Sequence, residues 1–452
     1  MPKRSSMQTL KRLTLLLSVL TSLPLPTHAE EPSDIRSRSW HQWRGPHANG
    51  VASHAEPPLT WSETENLAWK VSIEGLGNST PIIWDNKLFV ATTVDTGKVD
   101  PSLPKPEDQP ERPFGITFPN TYHQYVVLCF DRMTGDELWR RIAIEKIPHE
   151  GHHGDNSFAS CSPTTDGERL YVWFGSAGLY CYDLDGGPLW KRDLGTVETR
   201  RSFGEGASPV VHGGRLIIVR DQEQQSYLVV VDAKTGEDIW RKDRDEPSCW
   251  ATPLVVEHDG RTQVITNGTN RVRSYDLEDG SLIWECGGQV MNVTPSPVVQ
   301  GDFVYCASGY RGSALEAISL NSTGDVTGSD NVAWSKDRGT PYIPSPLLVD
   351  GRLYFNQSNS GILSCLDATT GDTLMERTRL PDVHNMYASP VAASGRIYLV
   401  GRDGTTQVIE DNPELKVLAT NKLNDRIDAS PAMVGKHLYL RGKQNLYCLQ
   451  NR

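Results

Sequence analysis

A histidine pattern typical of zinc peptidases is the most specific chemical signal in the sequence. Residues 149–153 read His-Glu-Gly-His-His, and the pattern H-E-x-x-H binds zinc when a helix places both histidines on one face. Pro148 and Gly154 flank the motif and a further glycine interrupts it, so no helix is expected here. The motif instead predicts polar loop residues, or a loop metal site supplied by dense imidazole and carboxylate groups. The residues available for such a metal site are His149, His152, His153 and Asp155.

A larger group of polar and aromatic residues precedes a series of Ser-Pro and Thr-Pro pairs. Arginine can bind a carboxylate, sulfate or phosphate through paired hydrogen bonds, and tryptophan or tyrosine can stack on a ring. The group predicts a site for an anionic or glycan ligand; alternatively, its arginines pair with Asp and Glu and only stabilise the fold. The ligand-binding candidates are Asn78, Asn156, Arg201, Glu205, Trp250, Asn292, Tyr342, His384, Asn385, Arg426 and Asp428. The same stretches contain Asp155 and Tyr387, and neighbouring loops add Arg220, Arg271, Arg311, Arg402 and Arg441.

Charge and missing motifs argue against several classes of function. The formal net charge of the 452-residue chain is −11, whereas nonspecific nucleic-acid binding requires a surplus of Lys and Arg. No Ser-His-Asp signature, phosphate-binding glycine loop or dinucleotide fingerprint is present. We therefore expect no nucleic-acid partner and a solvated acidic exterior.

An eightfold repeat supplies the elements that must position these candidates. A Ser-Pro or Thr-Pro pair opens each repeat, and after a first gap of 82 residues the prolines lie 41 to 49 residues apart. Each pair is followed by apolar residues, a Gly or Asp/Asn turn and a second apolar run. A period in the low forties with strands in every unit is typical of propeller blades. The prolines are Pro81, Pro163, Pro209, Pro253, Pro297, Pro346, Pro390 and Pro431.

A turn phrase ending in tryptophan defines the outer part of each blade. Residues 232–240 read Asp-Ala-Lys-Thr-Gly-Glu-Asp-Ile-Trp, in which glycine permits a positive φ and Asp bonds to the local backbone. The phrase predicts a hairpin whose Trp covers the seam between neighbouring blades. Related phrases begin at Asp131, Asp183, Asp276 and Asp367, the last with Met375 at the Trp position.

The two ends of the repeat predict how the ring closes. The last phrase, residues 430–449, stops before its outer strand, while Leu67–Lys70 resembles an outer strand with no blade before it. An N-terminal strand in the last blade would remove the open sheet edge. The sequence therefore predicts an all-β, eight-bladed propeller of four-stranded antiparallel blades, closed by an N-terminal strand.

Domain boundaries follow from composition. Residues 1–29 combine early basic residues, an apolar run and a small-residue cleavage site, which predicts a signal peptide and a periplasmic or secreted protein. No transmembrane segment is expected in the mature chain. Residues 30–59 are predicted to be a leader, disordered over 30–39, followed by a segment that wraps the ring. The propeller occupies residues 60–452.

Residues 95–123 form a proline-rich insertion in blade one. Six prolines exclude an ordinary strand, and the insertion joins the second and third strands on the face where propellers normally bind ligands. It predicts either a solvated polyproline-like loop or a lid over the channel.

Eight cysteines accompany the predicted export signal. Four of them occupy equivalent third-strand positions in different blades, too far apart to bridge, and are predicted to be small buried apolar residues. The pairing of the other four is left open. The first four are Cys129, Cys181, Cys365 and Cys448, and the others are Cys161, Cys249, Cys286 and Cys306.

The phrases at 131–139 and 232–240 resemble the tryptophan-docking repeat of pyrroloquinoline-quinone (PQQ) propellers, over about residues 60–450. Residues 43–46 (Trp-Arg-Gly-Pro) and 156–160 (Asn-Ser-Phe-Ala-Ser) look like those of exported bacterial PQQ-like repeat proteins, mostly of unassigned function. The superfamily includes quinoprotein alcohol dehydrogenases and the BamB outer-membrane assembly factor. The chain lacks the adjacent cysteine pair of those dehydrogenases, an assignable calcium ligand set and the lipid-anchor cysteine of BamB.

The residues and the resemblance together predict a binding or scaffolding module. Its partner would be a protein, or an anionic or glycan ligand at the channel mouth. One alternative is a quinoprotein-type oxidoreductase that uses PQQ and calcium, and another is a BamB-like envelope assembly factor.

Overall fold

The computed structural model describes residues 1–2 and 32–451. The predicted signal peptide, residues 1–29, therefore lies outside the described residues apart from its first two. Residues 32–451 belong to one compact unit. None of the helices in the described part of the chain is long and apolar enough to span a bilayer.

The repeat folds into eight sheets, one for each Ser/Thr-Pro pair, and the four main strands of each blade are antiparallel. Blade 8 includes β1 (Leu67–Ser72), which precedes all other strands in the chain. From the innermost strand outwards, blade 1 contains β2 (Ile82–Trp84), β3 (Lys87–Val99), β4 (Thr121–Asp131) and β5 (Glu137–Lys146). Blade 2 contains β6 (Thr164–Thr165), β7 (Arg169–Trp173), β8 (Leu179–Asp183) and β9 (Pro188–Arg192). Blade 3 contains β10 (Val210–His212), β11 (Arg215–Arg220), β12 (Ser226–Asp232) and β13 (Asp238–Arg244).

The next blades repeat this order, and blade 4 gains a fifth strand from the following repeat. Blade 4 contains β14 (Leu254–His258), β15 (Arg261–Asn267), β16 (Val272–Asp276), β17 (Leu282–Cys286) and, parallel to β17, β21 (Gly324–Asp325). Blade 5 contains β18 (Val298–Gln300), β19 (Phe303–Ser308), β20 (Ala314–Ser319) and β22 (Val332–Lys336).

The last three blades complete the ring. Blade 6 contains β23 (Leu347–Val349), β24 (Arg352–Asn356), β25 (Ile362–Asp367) and β26 (Thr373–Arg379). Blade 7 contains β27 (Val391–Ala393), β28 (Arg396–Val400), β29 (Thr405–Glu410) and β30 (Val417–Lys422). Blade 8 contains β31 (Ala432–Val434), β32 (His437–Arg441), β33 (Asn445–Gln450) and β1. The predicted eight-bladed, all-β architecture is confirmed.

Ring closure follows the prediction from the chain ends. Strand β1 pairs antiparallel with β33, placing Trp69 opposite Cys448. Trp69 also donates from Nε1 to the Arg132 carbonyl in blade 1, at 3.0 Å. A single N-terminal strand therefore completes blade 8 and bonds it to blade 1.

Tryptophans of the repeated phrase join neighbouring blades. Trp139 in blade 1 donates from Nε1 to the Leu184 carbonyl in blade 2 at 3.1 Å, and its ring covers Gly186. Trp240 makes the same contact with Leu277, at 2.9 Å. Blades 1, 2, 3, 5 and 8 are thus each anchored to the turn of the next blade by one indole hydrogen bond and one ring face, whereas Trp284 in blade 4 donates to Gln263 of its own blade.

The segment before β1 is more ordered than the sequence indicated. Residues Pro32–Arg38 form a short helix, α1, so the expected disordered leader at 30–39 is wrong over these residues. Ile35 packs against the propeller core, which gives the helix an apolar anchor. Beyond it, Trp40 bonds to Ile83 in β2 and Ala52 bonds to Ala392 in β27. The predicted wrap therefore crosses one end of the central channel and pairs with innermost strands.

The insertion is a hairpin with a proline-rich tip. Strand β3 continues to Val99 and β4 begins at Thr121, so the expectation that residues 95–123 exclude regular strand is wrong at both ends. The prolines all lie between these strands, where two short 3₁₀ turns occur at Pro106–Asp108 and Pro113–Gly115. The segment connects the second and third strands of blade 1.

All eight cysteines are buried and unpaired, including the four whose pairing the sequence left open. Burial raises the pKa of the Cys129 thiol to about 12. Such a thiol is protonated at neutral pH, and behaves as an apolar core group.

Candidate functional site

A ring of hydroxyl groups joins the blades at one end of the channel. In blades 1 to 7, the residue before the proline of the repeat donates its backbone N–H to the hydroxyl of the equivalent residue in the next blade. Seven such hydrogen bonds, between 2.9 and 3.2 Å long, link the eight blades. In chain order the participants are Thr80, Ser162, Ser208, Thr252, Ser296, Ser345, Ser389 and Ser430. We call these eight residues the hydroxyl ring.

The chemistry of the Ser/Thr-Pro pair explains this geometry. Proline holds the residue before it in an extended conformation and offers no N–H of its own. The only amide at the start of the innermost strand is therefore that of Ser or Thr, and it is buried. Because a buried amide requires an acceptor, a hydroxyl at the same position in the next blade completes the repeat.

The N-terminal segment closes the channel below the ring. Trp43 donates from Nε1 to Ser296 Oγ at 3.1 Å, which places its indole against the hydroxyl ring. The next residue, Arg44, is 1% exposed and donates to the carbonyls of Pro346 and Pro390. Trp43 therefore forms the floor of a cavity at the channel mouth.

The cavity above this floor has a volume of about 330 Å³, within the range of small-ligand sites. Aromatic side chains from separate blades and loops form most of its wall. Tyr310 and Tyr342 pack with ring centroids 4.9 Å apart, and Trp250 lies 6.4 Å from Phe203. The aromatic lining residues are Trp43, Phe114, Phe203, Trp250, Tyr310, Tyr342 and Tyr387.

One side of the cavity carries a compensated charge cluster. Asp155 accepts hydrogen bonds from Arg402 at 2.6 Å, from Arg426 at 2.5 Å and from the Tyr387 hydroxyl at 2.8 Å. Asp428 also binds both guanidinium groups, at 2.7 and 2.9 Å. Burial raises the pKa of Asp428, and Arg402 opposes that shift. Two carboxylates and two arginines cancel, so this wall is nearly neutral.

The insertion reaches the same cavity. Phe114, at the tip of the hairpin, lies 5.4 Å from the His153 ring and 5.3 Å from the Phe203 ring. Its side chain is still 59% exposed, because the tip rests at the rim of the cavity. This position is the one that a lid would occupy.

About half of the predicted ligand-binding residues meet at this cavity. Asn78, Asn156, Trp250, Tyr342 and Asp428 line it. Arg426 lies behind the wall and binds Asp155 and Asp428.

The other five candidates do not line it. His384 and Asn385 are exposed, and Arg201 is exposed with its guanidinium 6.0 Å from the Phe114 ring. Glu205 turns away to accept the Ser176 amide at 2.6 Å and lines a second, smaller cavity. Asn292 is buried beside Tyr342. Adjacency to the proline in sequence did not distinguish these orientations.

The histidine motif adopts a loop. His149 donates from Nε2 to the Val197 carbonyl at 2.7 Å, while His152 contacts the His153 carbonyl at 2.8 Å. The Asp155 amide donates to His153 Nδ1 at 3.2 Å. Among the described residues, no group of three or more His, Cys, Asp or Glu side chains is placed to hold a metal.

Most of the loop arginines serve the fold. Arg220 donates to the Leu194 carbonyl and the Tyr227 hydroxyl, Arg441 donates to Ser79 and Ala91, and Arg271 pairs with Asp325. Arg402 contributes to the charged wall, and Arg311 stacks beside Tyr310, 5.4 Å from its ring.

Sequence reasoning missed four aromatic lining residues and the hydroxyl ring. Trp43, Phe114, Phe203 and Tyr310 precede no proline pair directly, so their loops could not be aligned with the mouth. The Ser or Thr of every repeat is visible in the sequence, but there it predicts only where the innermost strand begins.

These features define a class of protein: an eight-bladed propeller with a ligand-sized cavity at one channel end and a plug at the other. A family model described as outer membrane protein assembly factor BamB matches residues 123–377 and 258–452, which together exceed half of the chain. The chain belongs to this BamB-type family of PQQ-like propellers. No curated protein matches it significantly.

Solved structures show the same fold at low sequence identity. BamB from Moraxella catarrhalis is 13% identical, with a TM-score of 0.56, over 85% of this chain and 97% of that one. Quinohemoprotein alcohol dehydrogenase from Comamonas testosteroni is 10% identical, with a TM-score of 0.60, over 93% and 82%. The quinohemoprotein alcohol dehydrogenase ADHIIG from Pseudomonas putida HK5 is 10% identical, with a TM-score of 0.59, over 92% and 80%.

Proposed function

We propose that this chain is an exported binding protein, periplasmic or secreted, that holds a saccharide in the cavity at the channel mouth. The observation that carries the proposal is the cavity's composition. Aromatic rings form its wall and a ring of Ser and Thr hydroxyl groups forms its base.

The two surfaces match the two faces of a sugar. The C–H face of a pyranose is apolar and packs on an aromatic ring, as Trp250, Tyr310 and Tyr342 would allow. Sugar hydroxyl groups both donate and accept, and so do the Ser and Thr hydroxyls at the base. The charges of the wall around Asp155 cancel, so the ligand needs no charge on that side.

The combination of PQQ and calcium, which a quinoprotein oxidoreductase would need, does not fit these residues. Calcium takes six to eight oxygen ligands, with carboxylates prominent among them. Asp155 and Asp428 are the acidic residues lining the cavity, and Arg402 and Arg426 bind both. A calcium ion there would have to displace two guanidinium groups from their carboxylates.

Calorimetric titration of the purified mature protein with neutral and acidic trisaccharides tests the proposal. We expect saturable one-to-one binding, weakened about tenfold in Trp250→Ala through loss of a stacking ring. Leu189→Ala, at an exposed outer-strand position, is the matched control and should bind as the parent does. PQQ, with and without calcium, forms the second arm. Calcium-dependent PQQ binding with no response to any saccharide would refute the proposal.

A protein-binding role is the second candidate, because the matching family model describes an assembly factor. One observation favours it: the residue before the docking Trp or Met is an exposed apolar side chain in four blades. These residues are Leu138, Leu189, Ile239 and Leu374. A photo-crosslinker at position 189 should capture one discrete envelope protein in cells, while one at position 213, in an inner hairpin turn, should not.

A further inference from the structure

The hydroxyl ring carries unused hydrogen-bond donors into the cavity. Seven ring hydroxyls, all except that of Thr80, accept a backbone amide through oxygen. Within the described residues none of these seven donates its proton to a protein acceptor. The same seven residues line the cavity. The base of the cavity is therefore a convergent set of O–H donors.

Thr80 differs from the other seven ring residues in the hydrogen bonding of its hydroxyl. Its hydroxyl is fully buried and lacks a hydrogen-bond partner among the described residues. The junction between blade 8 and blade 1 is thus the one at which the ring amide-to-hydroxyl bond is not made. A buried hydroxyl without a partner at this level adds a further donor beside the cavity base.

A buried cation lies directly beneath these donors. Arg44 binds the carbonyls of Pro346 and Pro390, the residues that follow ring members Ser345 and Ser389. Within residues 32–451 it contacts no carboxylate, and its Nε has no hydrogen-bond partner there. Burial lowers the pKa of Arg44 to about 9, which still leaves it charged at neutral pH. Its positive charge is not compensated locally.

A second buried cation lies beside the ring, at the junction of blades 8 and 1. Arg441 is 2% exposed and donates to Ser79 Oγ and the Ala91 carbonyl, next to ring member Thr80. Burial lowers its pKa to about 9 as well, with no acidic partner opposing the shift. In a chain with a net charge of −11, two buried cations that have no carboxylate partner among the described residues therefore lie next to the cavity base.

We propose that the cavity base binds the anionic group of the ligand, so that the preferred ligand is an acidic saccharide bearing a carboxylate or sulfate. The inference deepens the proposed function and depends on it. The anion accepts hydrogen bonds from the O–H groups of the hydroxyl ring, Arg44 and Arg441 supply positive potential from buried positions next to the ring, and the sugar ring packs on the aromatic wall. Hydrogen bonds to a charged acceptor are about twice as strong as neutral ones, and low local dielectric strengthens them further.

Matched ligand pairs test the inference on the unaltered protein. Trigalacturonate is compared with its fully methyl-esterified form, and a trisaccharide of galactose 6-sulfate with its desulfated form. We expect the acidic member of at least one pair to bind at least tenfold more tightly, with affinity that falls as salt is added. The pair that responds identifies whether a carboxylate or a sulfate is the anion.

Variants of one ring residue locate the anion. Ser208→Thr keeps a hydroxyl, as Thr252 does naturally, whereas Ser208→Cys keeps a similar shape with a poor donor. We expect Ser208→Cys to reduce the acidic-to-neutral preference at least threefold and Ser208→Thr to retain it. Both ligands of a pair are measured on each variant, so a general loss of folding would lower both and leave the ratio unchanged.

The outcomes separate the two proposals. Equal binding of acidic and neutral members refutes the anion site while leaving the saccharide site intact. A preference that Ser208→Cys leaves unchanged refutes the hydroxyl ring as its location. No binding of any saccharide refutes both.

Discussion

A residue of the hydroxyl ring both links neighbouring blades and lines the candidate ligand site. Ser345 accepts the Ser296 amide at 3.0 Å and donates its own amide to Ser389 at 2.9 Å. It is 2% exposed and lines the cavity, and its hydroxyl donates to no protein acceptor among the described residues. One hydroxyl thereby joins two blades and serves the candidate site.

Ser345→Ala should lower the free energy of unfolding by about 1–3 kcal/mol, because the buried Ser296 amide loses its acceptor. Ser345→Thr retains the oxygen and should cost much less. Chemical denaturation of both variants measures the difference. Equal stability of Ser345→Ala and the parent would show that the ring bonds contribute little.

Glu150 is the buried acid with a clear pH signature. It lies in the smaller cavity and accepts the Thr199 hydroxyl at 2.6 Å and the Thr199 amide at 3.2 Å. Burial raises its pKa from 4.5 to about 7. Between these values the folded protein holds a proton that the unfolded chain has lost, so this residue destabilises the fold as the pH rises.

Glu150→Gln should therefore flatten the pH dependence of stability. The variant's advantage over the parent should grow from pH 4.5 to pH 7 by at most about 3 kcal/mol and then stay constant. Loss of one Thr199 hydrogen bond adds an offset that does not depend on pH. Differential scanning calorimetry at pH 5 and pH 8 measures the change. Glu168→Gln, at an exposed position, is the control. Parallel curves of stability against pH for Glu150→Gln and the parent would contradict the prediction.

At the scale of elements, the hairpin turn and the docking tryptophan form one unit shared by two blades. Gly186 has a φ of +80°, and a Cβ there would lie 2.7 Å from the Trp139 ring of the preceding blade. Gly236 occupies the equivalent turn of blade 3, and a Cβ there would lie 2.7 Å from the Trp190 ring. Glycine is required at these positions because the turn has a positive φ and because the indole ring that covers the turn leaves no room for a Cβ.

Gly186→Ala should destabilise the protein more than Gly213→Ala does. Gly213 has a φ of +55° but no neighbouring atom within 4 Å of the position that a Cβ would take, so alanine there incurs the left-handed strain of about 1–2 kcal/mol without a clash. The difference between the two variants isolates the contact with Trp139. Thermal unfolding of both measures it, and equal midpoints would show that the indole moves aside freely.

At the scale of the whole molecule, the ring depends on a strand from the other end of the chain. Strand β1 supplies the outer strand of blade 8 and, through Trp69, a hydrogen bond to blade 1. Residues 40–56 meanwhile cross the channel between blades 1, 7 and 8. Closure and the cavity floor therefore both come from the segment before the first repeat.

A chain that begins after Ser72 should not form a stable monomer, because blade 8 would expose an unpaired edge and the cavity would lose Trp43. A chain that begins at residue 30 retains both and should match the full chain in circular dichroism and elution volume. Adding the peptide 30–72 in trans should restore part of the lost signal. A cooperative, monomeric product from the shorter chain would show that closure is dispensable.

The sequence by itself determined the architecture. Eight proline pairs, glycine turns and docking tryptophans are local signals within one blade, and each blade forms mainly from contacts between neighbours in sequence. The missing outer strand of the last repeat likewise identified Leu67–Ser72 as its partner. Burial of the four equivalent cysteines also followed from strand position alone.

Only the tertiary structure decided which loop residues meet at the mouth. Trp250 and Tyr342 line the cavity while Arg201 and His384 do not, although all four precede proline pairs, because loop conformation sets the direction of each side chain. Trp43 and Phe114 arrive from a plug and an insertion outside the repeat, whose paths depend on contacts far apart in sequence. The repeated pattern predicts the blades, whereas the floor and part of the rim of this site come from segments that lie outside the repeat.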